Sequence, residues 1–99
     1  DLAVLRDSLI ASPANSTFVE RDVLSILQHG DYDEGFAVAL ACKDLGLSAD
    51  LAVAVGVEVP LSGLVKDLYH QARERYGEQA GEMTPFALYE DAIGRQLRL

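Results

Sequence analysis

Residues 36–56, FAVALACKDLGLSADLAVAVG, constrain this chain more than any other stretch. Almost every residue there is apolar or small, and the polar members are Lys43, Asp44, Ser48 and Asp50. A helix of this length spans about 30 Å, the width of a small domain. A helix apolar nearly all round is expected to be buried by other helices on several sides. At about 100° per residue, Phe36, Ala39, Leu40, Lys43, Leu47, Asp50 and Ala54 share one face. A membrane span is disfavoured, because ionisable residues near its middle each cost about 2.5–3.5 kcal/mol on insertion scales.

A lone lysine on such a face needs a partner or a wet cavity, since an unpaired buried charge is very costly. Asp50 lies about 10 Å along the helix axis from Lys43, too far for a direct pair unless both side chains reach. Asp44 is adjacent in sequence and is expected to point elsewhere. Residue chemistry leaves two readings open: Lys43 snorkels to the bundle surface, or it marks a site for an anionic guest.

The rest of the chain reads as helices joined by short connections. Leu2, Leu5 and Leu9 lie at helical spacing, and Ser12-Pro13 ends that first helix. Thr17 and Glu20 have capping-box spacing for a second helix, with Phe18, Val19, Val23, Ile26 and Leu27 on one side and Gly30 closing it. Residues 30–35, GDYDEG, form an acidic turn whose carboxylates suit the start of the long helix. They lack the extended ligand pattern of a calcium loop. Pro60 suits the first turn of a fourth helix, with Leu61, Leu64, Val65, Leu68, Ala72 and Tyr76 as its apolar stripe. His70 falls on the far side, as a solvated residue. Thr84-Pro85 reads as N-cap and first helical position. The last helix is expected to run on with Phe86, Tyr89, Ile93 and Leu97 in a stripe, and with Arg95 and Arg98 late, where the dipole favours cations. The expected fold is all-α, a single helical bundle of about five helices over residues 1–99.

Several chemistries lack their residues. Neither a G-x-G-x-x-G nor a G-x-x-x-x-G-K phosphate loop occurs. No Cys or His has metal-ligand spacing, so no metal is expected. Nothing resembles a Ser/His/Asp set. Cys42 is the single cysteine and reads as a small buried hydrophobe. A net charge of −8 disfavours nucleic acid and anionic membranes as partners. A lone cysteine is consistent with a reducing, cytoplasmic setting. The chain begins with Asp1, and the 99 residues are expected to be part of a longer protein.

One resemblance joins these features. Gly30-Asp31-Tyr32, Gly35-Phe36, Leu40, Lys43-Asp44-Leu45, Ala52, Gly56 and Pro60 resemble the C-terminal domain of the β-hydroxyacid dehydrogenases. That family includes 3-hydroxyisobutyrate dehydrogenase and tartronate semialdehyde reductase, and is related to 6-phosphogluconate dehydrogenase. The likeness continues through Tyr69 and Gly77 to Thr84, and residues 1–14 fit the preceding helix. The Lys-Asp-Leu element is its most specific part. The resemblance implies an N-terminal Rossmann domain, absent here, that holds NAD or NADP. It implies a helical domain that closes the cleft over a small hydroxy acid and builds a homodimer. Carried over, Lys43 is a cofactor-binding residue and Phe36 borders the substrate pocket. The family's catalytic lysine belongs to a motif that this sequence lacks, so no catalytic residue is assigned and the chain alone is expected to be inactive. Glu34 stands where a proline is common, and Glu82 where an aspartate is common. The rival reading is a non-enzymatic helical interaction module.

Overall fold

A computed structural model describes residues 1–99. The expected all-α architecture is what it shows: α1 (Leu2–Ile10), α2 (Leu24–His29), α3 (Val38–Val55), α4 (Pro60–Tyr76) and α5 (Pro85–Ile93). The helix stops follow the sequence punctuation. α1 ends ahead of Pro13, and left-handed Gly30 and Gly56 close α2 and α3. Pro60 and Pro85 open α4 and α5, where their missing N–H groups cost nothing.

Local chemistry sets the helix starts, and two of them depart from the sequence reading. α1 is capped by Asp1, whose carboxylate accepts from the Ala3 and Val4 amides. The second helix is capped by Ser16, whose Oγ accepts from the Val19 amide at 3.1 Å. Thr17 is already helical, and Glu20 accepts from the Asn15 amide instead of completing a capping box. Thr84 does not cap α5; its hydroxyl donates to the Gly81 carbonyl at 2.8 Å.

Ahead of α2, Val19–Val23 form a wide π-turn, with the Leu24 N–H donating to the Val19 carbonyl. Val19, Val23 and Leu27 face one cavity, while Phe18 and Ile26 face another.

α5 also stops sooner than its apolar periodicity suggests. Gly94 takes φ 62°, a left-handed conformation that ends the helix. Residues 95–99 therefore run as a tail. Leu97 leaves the expected stripe, Tyr89 and Ile93 are exposed, and Arg95 and Arg98 do not sit in a last helical turn.

The packed centre is small. Val38, Cys42 and Ala72 are buried where α3 crosses α4, with Tyr69, Tyr76, Ala80 and Leu88 around them. α3 packs on α4, and α4 on α5. The long helix is thus covered on one face only, contrary to the expectation of burial on several sides. Val38, Ala41, Cys42 and Ala52 are buried, while Leu40, Leu47, Leu51 and Val55 form an exposed apolar stripe on the opposite face. The upper part of α4 is also open, with Leu61, Leu64 and Val65 exposed. No helix is long and apolar enough to cross a membrane.

Candidate functional site

The start of α3 is fixed by backbone bonds to the loop that precedes α5. The Phe36 carbonyl accepts from the Glu82 N–H at 2.8 Å, and the Val38 N–H donates to the Ala80 carbonyl at 2.7 Å. Between them, Ala37 and Gly81 pair as an isolated antiparallel bridge. The Gly81 N–H donates to the Asp33 carboxylate at 3.1 Å, which ties in the acidic turn. Gly81 has to be glycine: a β-carbon there would collide with the Tyr32 carbonyl oxygen and lie 2.8 Å from the Asp33 Cα. These bonds hold the Phe36 backbone while its ring stays exposed.

Lys43 lies about two turns further along, on the open side of α3 that also carries Leu40 and Leu47. It is not buried. Its side chain is 61% exposed, and Nζ lies 3.2 Å from an Asp44 carboxylate oxygen. The expectations of a buried lysine and of an Asp44 pointing elsewhere are both corrected. Only one face of α3 meets a neighbouring helix, and Lys43 is on the other. An exposed ion pair of this kind contributes about 0–1 kcal/mol, so Asp44 restrains the ammonium weakly. Leu40, between Phe36 and Lys43, is also exposed.

Beside the same turn lies a polar cavity of about 380 Å³, lined by Phe18, Arg21, Asp22, Ser25, Ile26, Glu34, Gly35 and Glu82. Arg21 is engaged by Asp22 at 3.2 Å. Burial pushes the Glu82 carboxyl above its ordinary range, and the charge of Asp22 pushes the same way. Sequence reasoning singled out Glu34 as part of the acidic turn and as a departure from a family pattern, and Glu82 only as such a departure. Their convergence with Asp22 depends on the fold bringing distant segments together.

The remaining reactive groups have structural surroundings. Cys42 is buried against Val38 and Ala72, and burial pushes its thiol up, away from the thiolate form. His70 is half-buried rather than solvated, with Nδ1 3.1 Å from the Arg73 guanidinium. No group of three or more His, Cys, Asp or Glu is placed to hold a metal ion.

The arrangement is that of an all-α domain with a fixed aromatic residue and an available ammonium along the open side of one long helix. Residues 1–89 match the family model described as NAD-binding of NADP-dependent 3-hydroxyisobutyrate dehydrogenase, and the chain belongs to that family. The family places it among oxidoreductases of the β-hydroxyacid dehydrogenase type, which use NAD(P). No match was found among the curated proteins.

Proposed function

We propose that this chain is the helical C-terminal domain of an NAD(P)-dependent β-hydroxyacid dehydrogenase. It closes the cleft over a small hydroxy acid against an N-terminal Rossmann domain and mediates dimerisation. Family membership over residues 1–89 carries the reading. The side chains at the start of α3 are compatible with it. Hydride transfer is the chemistry of the nicotinamide cofactor, and the domain contributes orientation and electrostatics. Lys43 supplies a cation to the cofactor; its exposed pair with Asp44 is weak enough to be exchanged for an anionic group. Phe36, fixed through its carbonyl to Glu82, borders the substrate. No residue of this chain is assigned a catalytic role.

Homodimer formation draws support from the uncovered apolar surface near the turn between α3 and α4. Leu51, Val53, Val55, Leu61 and Leu64 are exposed there, and Val53 reaches 81%. Apolar patches of this kind drive association. Light scattering of the 99-residue chain is expected to report a dimer, and a monomer at high concentration would contradict this part of the reading.

The test of the cofactor role is Lys43→Ala in the full-length enzyme. A rise in cofactor KM or a marked fall in turnover is expected, with the fold and stability unchanged because Lys43 packs against nothing structural. Wild-type kinetics in that variant would remove Lys43 from the cofactor site, and a full-length protein with no dehydrogenase activity at all would favour the non-enzymatic interaction module.

A further inference from the structure

Residues 94–99 lie beyond the stretch matched by the family model, which ends at residue 89. They nevertheless make the densest polar cluster in the molecule. A single oxygen of Glu90, Oε1, accepts from the Tyr32 hydroxyl at 2.8 Å, from the Leu97 N–H at 2.5 Å and from the Arg98 guanidinium at 2.8 Å. The same guanidinium nitrogen donates to the Leu97 carbonyl at 2.6 Å and approaches the Tyr32 hydroxyl at 3.3 Å. It also stands over the Tyr32 ring, 5.6 Å from the centroid. Tyr32 in turn stacks on Phe86 of α5, with centroids 6.4 Å apart. Arg98 lies so close against Gly30 that a β-carbon there would collide with it. Glu90 is buried, which strengthens each of these bonds relative to bulk water.

The cluster sits between two parts of the fold. On one side are α1 and α2 with the π-turn, and on the other are α3, α4 and α5. The two parts meet at an apolar cavity of about 290 Å³. Leu5 and Leu9 line it from α1, Val23 from the π-turn and Leu27 from α2; Leu97 and Leu99 of the tail line it from the other side. The tail thus places two leucines on the cavity that α1, the π-turn and α2 also line. Its arginine, meanwhile, joins Glu90 of α5 to Tyr32 and Gly30, just after α2.

We infer that residues 94–99 are a latch that holds the α1–α2 pair onto the α3–α5 unit, with Glu90 as its catch and Arg98 as its bolt. When the latch releases, the apolar cavity opens and α1–α2 swings free, while the α3–α4 contact around Val38, Cys42 and Ala72 persists. Nothing in this inference requires the cofactor role of Lys43, and it survives if that role fails.

The experiment is residue-resolved amide hydrogen exchange on the full 99-residue chain, comparing wild type with Arg98→Ala, Glu90→Gln and Arg98→Lys. Arg98→Ala is expected to speed exchange of the hydrogen-bonded amides of the π-turn and α2 by about tenfold or more, the worth of a charge-assisted bond of this kind. Amides of α3 and α4 around Cys42 and Ala72 should remain better protected than those of the π-turn and α2 in every variant. Glu90→Gln keeps acceptors for Tyr32 and Leu97 and should give an intermediate effect. Arg98→Lys retains the charge without the planar fork and should restore part of the protection. Unchanged exchange over residues 17–30 in Arg98→Ala overturns the inference. Exchange of the α2 amides at the same opening free energy as those of α3 and α4 in the wild-type chain also overturns it, since opening would then be global and no part would be released separately.

Discussion

Replacing Gly81 with alanine probes the junction that fixes the start of α3. The new methyl would face backbone on both sides, the Tyr32 carbonyl and the Asp33 Cα, and neither can rotate away. Relief requires the acidic turn to separate from the 78–82 loop. That movement breaks the Gly81–Asp33, Glu82–Phe36 and Val38–Ala80 bonds. Three hydrogen bonds at about 1 kcal/mol each give about 3 kcal/mol. Overpacking alone is commonly worth about 1–3 kcal/mol, which supports the scale. In a domain of this size such a loss lowers Tm by about 12–24 °C. Thermal melts followed by far-UV circular dichroism measure it. Gly46→Ala is the matched control: Gly46 lies inside α3, and a β-carbon there meets nothing within 4 Å. That variant should gain about 0.5–1 kcal/mol from helix propensity. A Gly81→Ala protein melting within a degree or two of wild type would show that the junction is loose, and the argument for a fixed Phe36 would fail with it.

Further outcomes concern titration and the buried thiol. Burial by itself would raise the Glu90 carboxyl, but its bonds from the Leu97 N–H, the Tyr32 hydroxyl and Arg98 hold it below the ordinary value of 4.5. A depressed folded-state value gives stability that is present above the unfolded value and is lost as pH falls through the folded one. Glu82 has the opposite sign, because burial and Asp22 raise it. Its contribution is present below the unfolded value and is lost as pH rises through the folded one. Urea midpoints at about pH 7 and about pH 3.5 should therefore show Glu90→Gln destabilising and Glu82→Gln stabilising at neutral pH, with both differences shrinking in acid. Equal effects at the two pH values would refute these assignments. Cys42, buried and shifted away from thiolate, should react with a thiol reagent only on unfolding. Rapid labelling of the native chain would contradict its place in the core.

The helices were largely legible because glycine and proline punctuate them. Pro13, Gly30, Gly56, Pro60 and Pro85 each mark a boundary that the structure keeps. The failures have distinct physical origins. Ser16 and Thr17 are adjacent hydroxyls, and local sequence gives little to say which caps the helix. The apolar spacing of Phe86, Tyr89, Ile93 and Leu97 continues past Gly94, so periodicity outran the glycine that ends α5. On α3 the apolar pattern surrounds the helix, and a pattern of that kind carries no information about which face a partner covers. That is why Lys43 read as buried. The catch at Glu90 had no local signature, since its partners Tyr32 and Arg98 lie 58 and 8 residues away. Lys43 and Phe36 were singled out through a resemblance, and the fold adds that both lie along exposed surface.

The wide turn at Val19–Val23 has a consequence for how this sequence can change. Such a turn holds one residue more than an α-helical turn. Deleting a residue elsewhere in a helix rotates everything downstream by about 100° and moves apolar side chains off their face. Deleting one here would tighten the turn to ordinary pitch and leave the residues on either side facing as they do. The segment is a stored insertion, a place where the chain can lose a residue without losing the helix.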